Sequence, residues 1–95
     1  MELIQNAQVG TFESSDIMIL IEPKPKGEGR EIELVSNVIM EYGDSIKEVI
    51  HEVLDQFEVS DVKIIATDKG ALNPTIRARV ETAVKRALKI QEGTL

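Results

Sequence analysis

Two adjacent serines offer the clearest chemistry in this chain, because they stand in a polar segment directly ahead of an apolar run. Ser14 and Ser15 belong to a Gly-Thr-Phe-Glu-Ser-Ser-Asp segment at positions 10–16. A hydroxyl on an exposed loop can be modified by another enzyme without an activating base of its own. Serine and aspartate are also common turn residues that bond nearby backbone groups, so a purely structural turn is the alternative interpretation.

The other polar residues favour no catalytic site. The chain has no cysteine, which excludes disulfides and thiolate metal sites, and it has one histidine. His51 lies between Glu48 and Asp55 on the polar face of a predicted helix, where we expect a solvated side chain rather than a metal ligand. Glu31 and Glu33 point the same way on a predicted strand, but acid–base catalysis would require burial to separate their pKa values. We therefore predict no catalytic residue and no metal site.

Length and charge indicate one small acidic domain. The 95 residues predict a single domain over 1–95, with flexible segments at 1–13 and 91–95. The net charge is −6, with 15 acidic and five basic residues up to Asp68 and two acidic and six basic residues from Lys69 onward. A negative chain is unsuited to nucleic acid as its main partner. The charge asymmetry favours docking between larger subunits, or simply reflects a solvated surface.

The chain shows no feature of secretion or membrane insertion. Its start lacks the basic and long apolar stretches of a signal peptide. The longest apolar run, at positions 17–21, is far too short to span a bilayer. We expect a cytoplasmic, soluble protein with no membrane partner.

The first half of the chain predicts strands. Residues 16–22 are apolar on both alternating faces, which is typical of a strand covered on both sides. Residues 23–29 hold two prolines and two glycines and predict an exposed loop. Residues 30–35 alternate polar and apolar, so we expect an antiparallel hairpin with a mobile tip. Residues 7–12 offer a short additional strand.

The second half predicts two main helices and one strand. Ser36 is expected to cap a short helix through Tyr42, ended by Gly43. Apolar residues at helical spacing then predict a helix through Phe57, followed by a strand at 61–67. Asn73 and Pro74 predict the cap and first residue of the last helix. The expected fold is α+β, with a small sheet of about three strands in the order hairpin, helix, strand, helix.

Three segments in a fixed order resemble one protein family. The Gly-Thr-x-Glu-Ser pattern at 10–14, the Asp-Lys-Gly-Ala-Leu segment at 68–72 and the Ala78-Arg79 pair resemble the acyl carrier protein, or gamma subunit, of citrate lyase. The resemblance covers nearly the whole chain. It implies that Ser14 carries the prosthetic group, a phosphoribosyl-dephospho-CoA arm derived from 2'-(5''-triphosphoribosyl)-3'-dephospho-CoA. Ser15 stands where the family pattern often has glycine, and spacing alone leaves both serines open.

The resemblance also implies a mechanism and partners. The arm ends in a thiol that bears an acetyl group, which the alpha subunit (acetyl-carrier:citrate transferase) exchanges for citrate with release of acetate. The beta subunit (citryl-carrier lyase) then releases oxaloacetate and regenerates the acetyl thioester. A separate transferase attaches the arm, and the carrier itself is not an enzyme. A tethered acyl group reaches both active sites without dissociating.

Other residues around the serine receive supporting roles. Gly10, Thr11, Glu13 and Asp16 are candidate recognition residues for the attaching enzyme. Basic residues of the last helix, Arg77 and Arg79 among them, could contact the phosphates of the arm or an acidic partner. The alternative for these cations is favourable placement toward a helix C-terminus.

Three other functions remain open at this point. The carrier subunit of malonate decarboxylase uses a related arm. Ser45, in a Gly-Asp-Ser-Ile segment, looks like the attachment site of phosphopantetheine carriers, although a capping box of Ser45 with Glu48 is favoured. A regulatory binding domain without a covalent arm is the last alternative. Mass measurement of the intact native protein separates carriers from this binding domain.

Overall fold

The described part of the chain forms a four-stranded sheet with two helices packed on one face. The computed structural model describes residues 2–36 and 39–89. The elements, in chain order, are β1 (Ala7–Val9), β2 (Ile17–Pro23), β3 (Arg30–Ser36), α1 (Ile39–Gln56), β4 (Val62–Asp68) and α2 (Asn73–Ala87). The predicted α+β class is confirmed, and the optional strand within 7–12 is present as β1.

The strand order brings three chain segments together at one end of the strands. The order is β1-β2-β4-β3, with β1–β2 and β2–β4 antiparallel and β3–β4 parallel. Ile17, which begins β2, lies opposite Asp68 at the end of β4, and Asp68 lies opposite Ser36 at the end of β3. The loop before β2 and the turn after β4 therefore meet at this end of the sheet.

The predicted hairpin of β2 with β3 is wrong, because β4 lies between them. The β3–α1–β4 crossover pairs two parallel strands, and β4 buries Val62, Ile64 and Ala66 completely, as a central strand should. β3 is more exposed and takes the edge. Residues 24–29 span the two strand spacings, about 10 Å, that separate β2 from β3.

The loop at 24–29 is tied to the end of the sheet rather than free. Asp61 Oδ1 accepts hydrogen bonds from the backbone N–H of Gly27 at 3.0 Å and of Gly29 at 2.9 Å. These two bonds hold the pKa of Asp61 below its usual value, with the Gly29 bond the larger cause. The expected mobile tip is therefore fixed by one carboxylate.

The core lies between the helices and one face of the sheet. Ile17, Ile19 and Ile21 of β2 are fully buried, whereas Met18 and Leu20 on the opposite face are half-buried. Coverage of β2 on both sides was therefore a wrong prediction, since both helices pack on the same face. The other buried apolar residues of β4 and the helices are Val62, Ile64, Ala66, Ile46, Val49, Ile50, Val53, Leu54, Ile76, Val80, Ala83, Val84 and Ala87.

The predicted break at Gly43 is wrong, because α1 runs without interruption through that residue. Ser45 therefore lies inside α1 and does not begin a capping box with Glu48, and Ser36 ends β3 instead of capping a helix. A glycine inside a helix costs about 1 kcal/mol relative to alanine. The buried apolar stripe of α1 offsets that cost, since each buried aliphatic side chain contributes about 2 kcal/mol.

The last helix begins at the predicted place with a different cap. Asn73 is the first residue of α2, and Leu72 occupies the N-cap position without a side-chain cap bond. The predicted capping role of Asn73 is thus wrong by one position. Of the predicted buried stripe, Ile76 to Ala87 is confirmed, and Ile90 lies outside the described residues.

The N-terminal segment 1–13, expected to be flexible, contains β1 and contacts the last helix. Leu3 is buried, and the N–H of Ile4 donates to the carbonyl of Ala87 at 3.0 Å. The predicted tail at 91–95 lies outside the described residues. Within residues 2–36 and 39–89, no helix has the length and apolarity to cross a bilayer.

Candidate functional site

The serine pair lies at the corner of a tight turn between β1 and β2. The N–H of Asp16 donates to the carbonyl of Glu13 at 3.2 Å, which leaves Ser14 and Ser15 as the two central residues. Ser15 has a φ of 66°, whereas Ser14 does not have positive φ. This sign pattern is that of a type II turn, in which glycine is preferred at the position that Ser15 occupies. We call residues 10–16 the serine loop.

Ser14 is presented to solvent at the first central position of this turn. The residue is exposed, as are its neighbours Glu13 and Ser15. Within the described chain, no hydrogen bond is formed by the Ser14 hydroxyl. An exposed, unpaired hydroxyl at a turn corner is sterically suited to modification by a second enzyme.

Asp16 holds the serine loop in place through four hydrogen bonds. Arg79 donates from Nε to Oδ1 at 3.0 Å and from a terminal nitrogen to Oδ2 at 2.9 Å. The Thr11 hydroxyl donates to Oδ2 and the Ile17 N–H to Oδ1, each at 2.7 Å. Asp16 as a whole is 9% exposed, and these bonds satisfy both oxygens of its carboxylate from three directions.

These contacts also keep Asp16 ionised. The hydrogen bonds from Arg79, and after them the bond from Thr11, hold the pKa of the Asp16 carboxyl well below its usual range. Burial acts in the opposite direction and is outweighed. Bidentate pairing of a guanidinium with a carboxylate is geometrically specific as well as strong. Arg79 therefore orients the loop and also stabilises the negative charge of Asp16.

Gly10 is required at the start of the serine loop. Its φ of 101° is one that side-chain-bearing residues rarely adopt. A Cβ atom built at this position would collide with the backbone carbonyl of Ile17. The glycine therefore lets the loop fold closely over the beginning of β2.

The serine loop is also hydrogen-bonded to the turn after β4. The N–H of Ser15 donates to the carbonyl of Lys69 at 2.8 Å, and the N–H of Lys69 donates to the carbonyl of Asp16 at 2.9 Å. These bonds extend the β2–β4 pairing by one step beyond Asp68. Backbone bonds of the central strands thus reach the residue next to Ser14.

Among the sequence-predicted site residues, six converge, Ser14 included, and two do not. Gly10, Thr11, Glu13 and Asp16 form the serine loop around Ser14, and Arg79 contacts that loop. Arg77 instead pairs with Glu52 of α1. Ser45 is exposed on α1, outside the loop.

Two contributions were missed from the sequence: the pairing of Arg79 with Asp16, and the backbone contacts of Lys69. The first had a usable signal. An aspartate next to a strongly apolar strand needs a cation, and the basic residues are concentrated in the last helix.

The remaining polar candidates have structural partners. Arg30 contacts Nδ1 of His51 at 3.1 Å, Asp55 at 2.8 Å and the carbonyl of Val59. Glu31 pairs with Lys24 at 3.3 Å and Lys63 at 3.7 Å. Among the described residues, no group of three or more His, Cys, Asp or Glu side chains is arranged to hold a metal ion.

The fold and the serine loop together define a small α+β domain that presents an exposed serine hydroxyl on a hydrogen-bonded turn. The family model described as "ACP: Malonate decarboxylase delta subunit (MdcD)" matches residues 4–87. The citrate lyase acyl carrier protein of Latilactobacillus sakei is 51% identical over 93% of this chain and 85% of its own length. That of Treponema denticola is 46% identical over 92% of this chain and 97% of its own length. The chain belongs to this family of acyl carrier proteins.

A solved structure shows the same fold. One chain of a Pseudomonas malonate decarboxylase hetero-tetramer, crystallised with malonate, superposes with a TM-score of 0.70. The match covers 92% of both chains at 21% sequence identity. At that identity the likeness concerns the fold alone.

Proposed function

We propose that this chain is the acyl carrier subunit of a citrate lyase, and that Ser14 is the point at which its prosthetic arm is attached. The observation that carries the proposal is an exposed, unpaired Ser14 hydroxyl on a braced turn, in a chain about half identical to proteins named citrate lyase acyl carrier protein. The carrier makes and breaks no bonds of the substrate.

The residues around Ser14 fit a bulky anionic arm. The phosphodiester of a phosphoribosyl-dephospho-CoA group would extend from the turn corner into solvent without displacing a packed side chain. Arg79 neutralises the charge of Asp16 beneath the turn, which removes one of the two negative charges that the loop would present to phosphate, and Glu13 keeps the other. When attached, this group supplies a terminal thiol for acetyl and citryl thioesters.

The chain's own residues contribute position rather than catalysis. Thr11, Asp16 and Arg79 keep the turn in one conformation, and Gly10 allows its close approach to β2. A fixed attachment point raises the effective concentration of the tethered acyl group at partner active sites. The proposed partners are the alpha and beta subunits of citrate lyase and the enzyme that attaches the arm, all in the cytoplasm.

Mass spectrometry of the carrier from its native host tests the attachment. We expect an intact mass above that of the unmodified chain, and a peptide map that places the adduct on Ser14. Ser14→Ala should abolish the adduct completely, whereas the matched variants Ser15→Ala and Ser45→Ala should retain it. An adduct on Ser45, or none on the native protein, would contradict the proposal.

The malonate decarboxylase carrier is the second candidate, favoured by the description of the matching family model. The two are distinguished by reconstituting the loaded carrier with the larger subunits of each complex. We expect citrate cleavage and no malonate decarboxylation. The opposite result would assign the carrier to malonate.

A further inference from the structure

The exposed large apolar side chains of this protein are concentrated at one end of the sheet. Among the described residues, the large apolar side chains that stay exposed are Ile4, Phe12, Val35, Tyr42 and Leu72. Ile4 lies at the end of the sheet opposite Ser14, because its N–H bonds to the last residue of α2. The other four lie at the end that presents Ser14.

The directions of the strands and helices place these four side chains together. Phe12 belongs to the serine loop, and Val35 lies opposite Thr67 near the end of the β3–β4 pairing. Tyr42 is in the first turn of α1, which follows β3, and Leu72 is the N-cap of α2, which follows β4. Since β4 separates β2 from β3, the end of β3 is two strand spacings, about 10 Å, from the end of β2 that bears the serine loop.

The surface from Ser14 to the helices is continuous. The Ser15 N–H donates to the carbonyl of Lys69 at 2.8 Å, and Lys69 begins the segment that leads to Leu72. Leu72 and Tyr42 line a common cleft of about 610 Å³. A pocket between exposed apolar side chains suits the burial of a partner side chain, and such anchors carry most of the affinity of an interface. We call the serine-end surface the set Phe12, Ser14, Val35, Tyr42, Lys69 and Leu72.

The exposed charges around this surface are mainly negative. Glu13, Glu41 and Asp44 are exposed and acidic, and Lys69 is exposed and basic, so three negative charges and one positive charge leave a balance of −2. Within residues 2–36 and 39–89, none of these four side chains forms an ion pair. The N-terminus of α2 adds partial positive charge beside Lys69. The negative part of the surface is therefore formed by the serine loop and α1.

One partner of a carrier has to contact this end of the molecule. The enzyme that joins the arm to Ser14 must bring its donor to that hydroxyl, so its own surface lies against the neighbours of Ser14. An enzyme that holds a phosphate-rich donor binds the phosphates with cationic groups, such as arginine and lysine. Positive charge around its active site complements negative charge around Ser14.

From these observations, and resting on the function proposed above, we propose that the serine-end surface is the docking site of the enzyme that attaches the arm. This enzyme contacts the end of β3, the first turn of α1 and the N-cap of α2 in addition to the serine loop. Its matching surface is apolar opposite Tyr42 and Leu72 and bears lysine or arginine opposite the serine loop and α1. Because separate chain segments form the docking site, the enzyme recognises the folded domain and not the serine loop alone.

Binding of the attaching enzyme, purified from the native host, to the full-length carrier tests the proposal. All measurements use a Ser14→Ala carrier, which binds without reacting. Leu72→Ser and Tyr42→Gln are then added to remove apolar side chains, and both are compatible with the fold because serine is a favoured N-cap residue and glutamine a good helix former. We expect each to weaken binding about fivefold in isothermal titration calorimetry, and the two together about tenfold or more.

Ile4→Ser is the matched control, because it removes a comparably exposed apolar side chain from the opposite end. This variant should bind as tightly as the Ser14→Ala parent. Circular dichroism of every variant verifies that the fold is intact. In carriers that retain Ser14, Leu72→Ser and Tyr42→Gln should raise the KM of attachment about fivefold and leave kcat unchanged.

The charge part of the proposal has its own variant. Glu41→Gln combined with Asp44→Asn should weaken binding at low salt, and its affinity should depend less on ionic strength than that of the parent. An unchanged dependence on salt would show that α1 does not face positive charge in the complex.

Several results would overturn the proposal. One is full binding by Leu72→Ser and Tyr42→Gln, and another is equal weakening by Ile4→Ser. Self-association of the carrier that Leu72→Ser abolishes, or normal attachment but slow citrate cleavage by the loaded Leu72→Ser carrier, would assign the surface to a second copy or to a catalytic subunit instead. Each of these results leaves the proposed function intact. That function fails separately, if the native protein carries no adduct on Ser14.

Discussion

Two loops of this protein are each held by a single aspartate, and the two aspartates use different partners. Asp16 in the serine loop binds the Arg79 side chain, the Thr11 hydroxyl and one backbone N–H. Asp61 binds only the backbone N–H groups of the loop at 24–29. The first arrangement connects a loop to a distant helix, whereas the second closes a loop on the neighbouring strand.

The difference shows how a loop can be exposed and still be rigid. The serine loop exposes Ser14 while a nearly buried carboxylate beneath it is bonded on both oxygens. The loop at 24–29 has no such buried ion pair, and its two fixing bonds are exposed in one case and partly buried in the other. We therefore expect the serine loop to depend on its aspartate far more strongly.

Replacing the two aspartates gives the largest expected difference. Asp16→Asn should destabilise the fold by about 2–3 kcal/mol, because Arg79 loses its negatively charged acceptor. The NH2 group of the new side chain would also face a hydrogen-bond donor where a carboxylate oxygen accepted a bond. Asp61→Asn should cost clearly less, since its carboxylate has no charged partner and one of its two bonds is exposed. Urea unfolding followed by circular dichroism measures both. Equal losses would show that the ion pair does not set the loop's stability.

The acid dependence of stability should follow from Asp16. Its pKa is depressed in the folded state, so its contribution is complete above the ordinary aspartate pKa of about 4 and is lost as pH falls toward the folded value. Below pH 4, stability should fall by up to about 1.4 kcal/mol per pH unit from this group. When unfolding is measured at several pH values, the slope of the unfolding free energy against pH should be smaller in Asp16→Asn, by an amount that corresponds to about one bound proton.

Arg77 and Arg79 form a matched pair two positions apart on α2. Arg79→Lys keeps the charge but loses the two-nitrogen contact with Asp16, so we expect a loss of about 1 kcal/mol. Arg77→Lys should change stability by less than about 0.5 kcal/mol, because its pair with Glu52 is exposed. Thermal unfolding compares them. A larger effect at Arg77 would contradict the assigned roles.

The smallest effect is expected from the turn itself. Ser15→Gly should stabilise the protein by about 0.5–1 kcal/mol, because a left-handed conformation is unfavourable for a side-chain-bearing residue. Ser14→Gly should give no such gain, since that residue lacks positive φ. Denaturation midpoints measure both variants. Stabilisation by Ser14→Gly instead would reverse the assignment of the turn.

Local patterns predicted the elements better than their pairing. The strand at 61–67 and the stripes of both helices follow from alternation and helical spacing, and each is present. The pairing of β4 with both β2 and β3 depends on which strand buries most apolar surface in three dimensions. The continuity of α1 through Gly43 has a similar origin, since packing of the stripe outweighs a local preference.

The sequence predicted which residues form the site better than it predicted the contacts between them. The pattern from Gly10 to Asp16 identified the loop. That Asp16 turns inward became evident only from its contact with Arg79, which lies 63 positions further along the chain. Such contacts depend on the order of the strands, so a wrongly predicted hairpin also predicts the wrong neighbouring residues.

The backbone pairing between the serine loop and Lys69 has a mechanical consequence. Ser15, next to Ser14, is joined to the central strands by main-chain hydrogen bonds. A group attached at Ser14 would therefore be anchored to the sheet and not to a flexible hinge. Any appendage there rotates about a stationary pivot, and its sweep is a sphere whose radius is the appendage's own length. Catalytic centres that share one such appendage must lie within that radius.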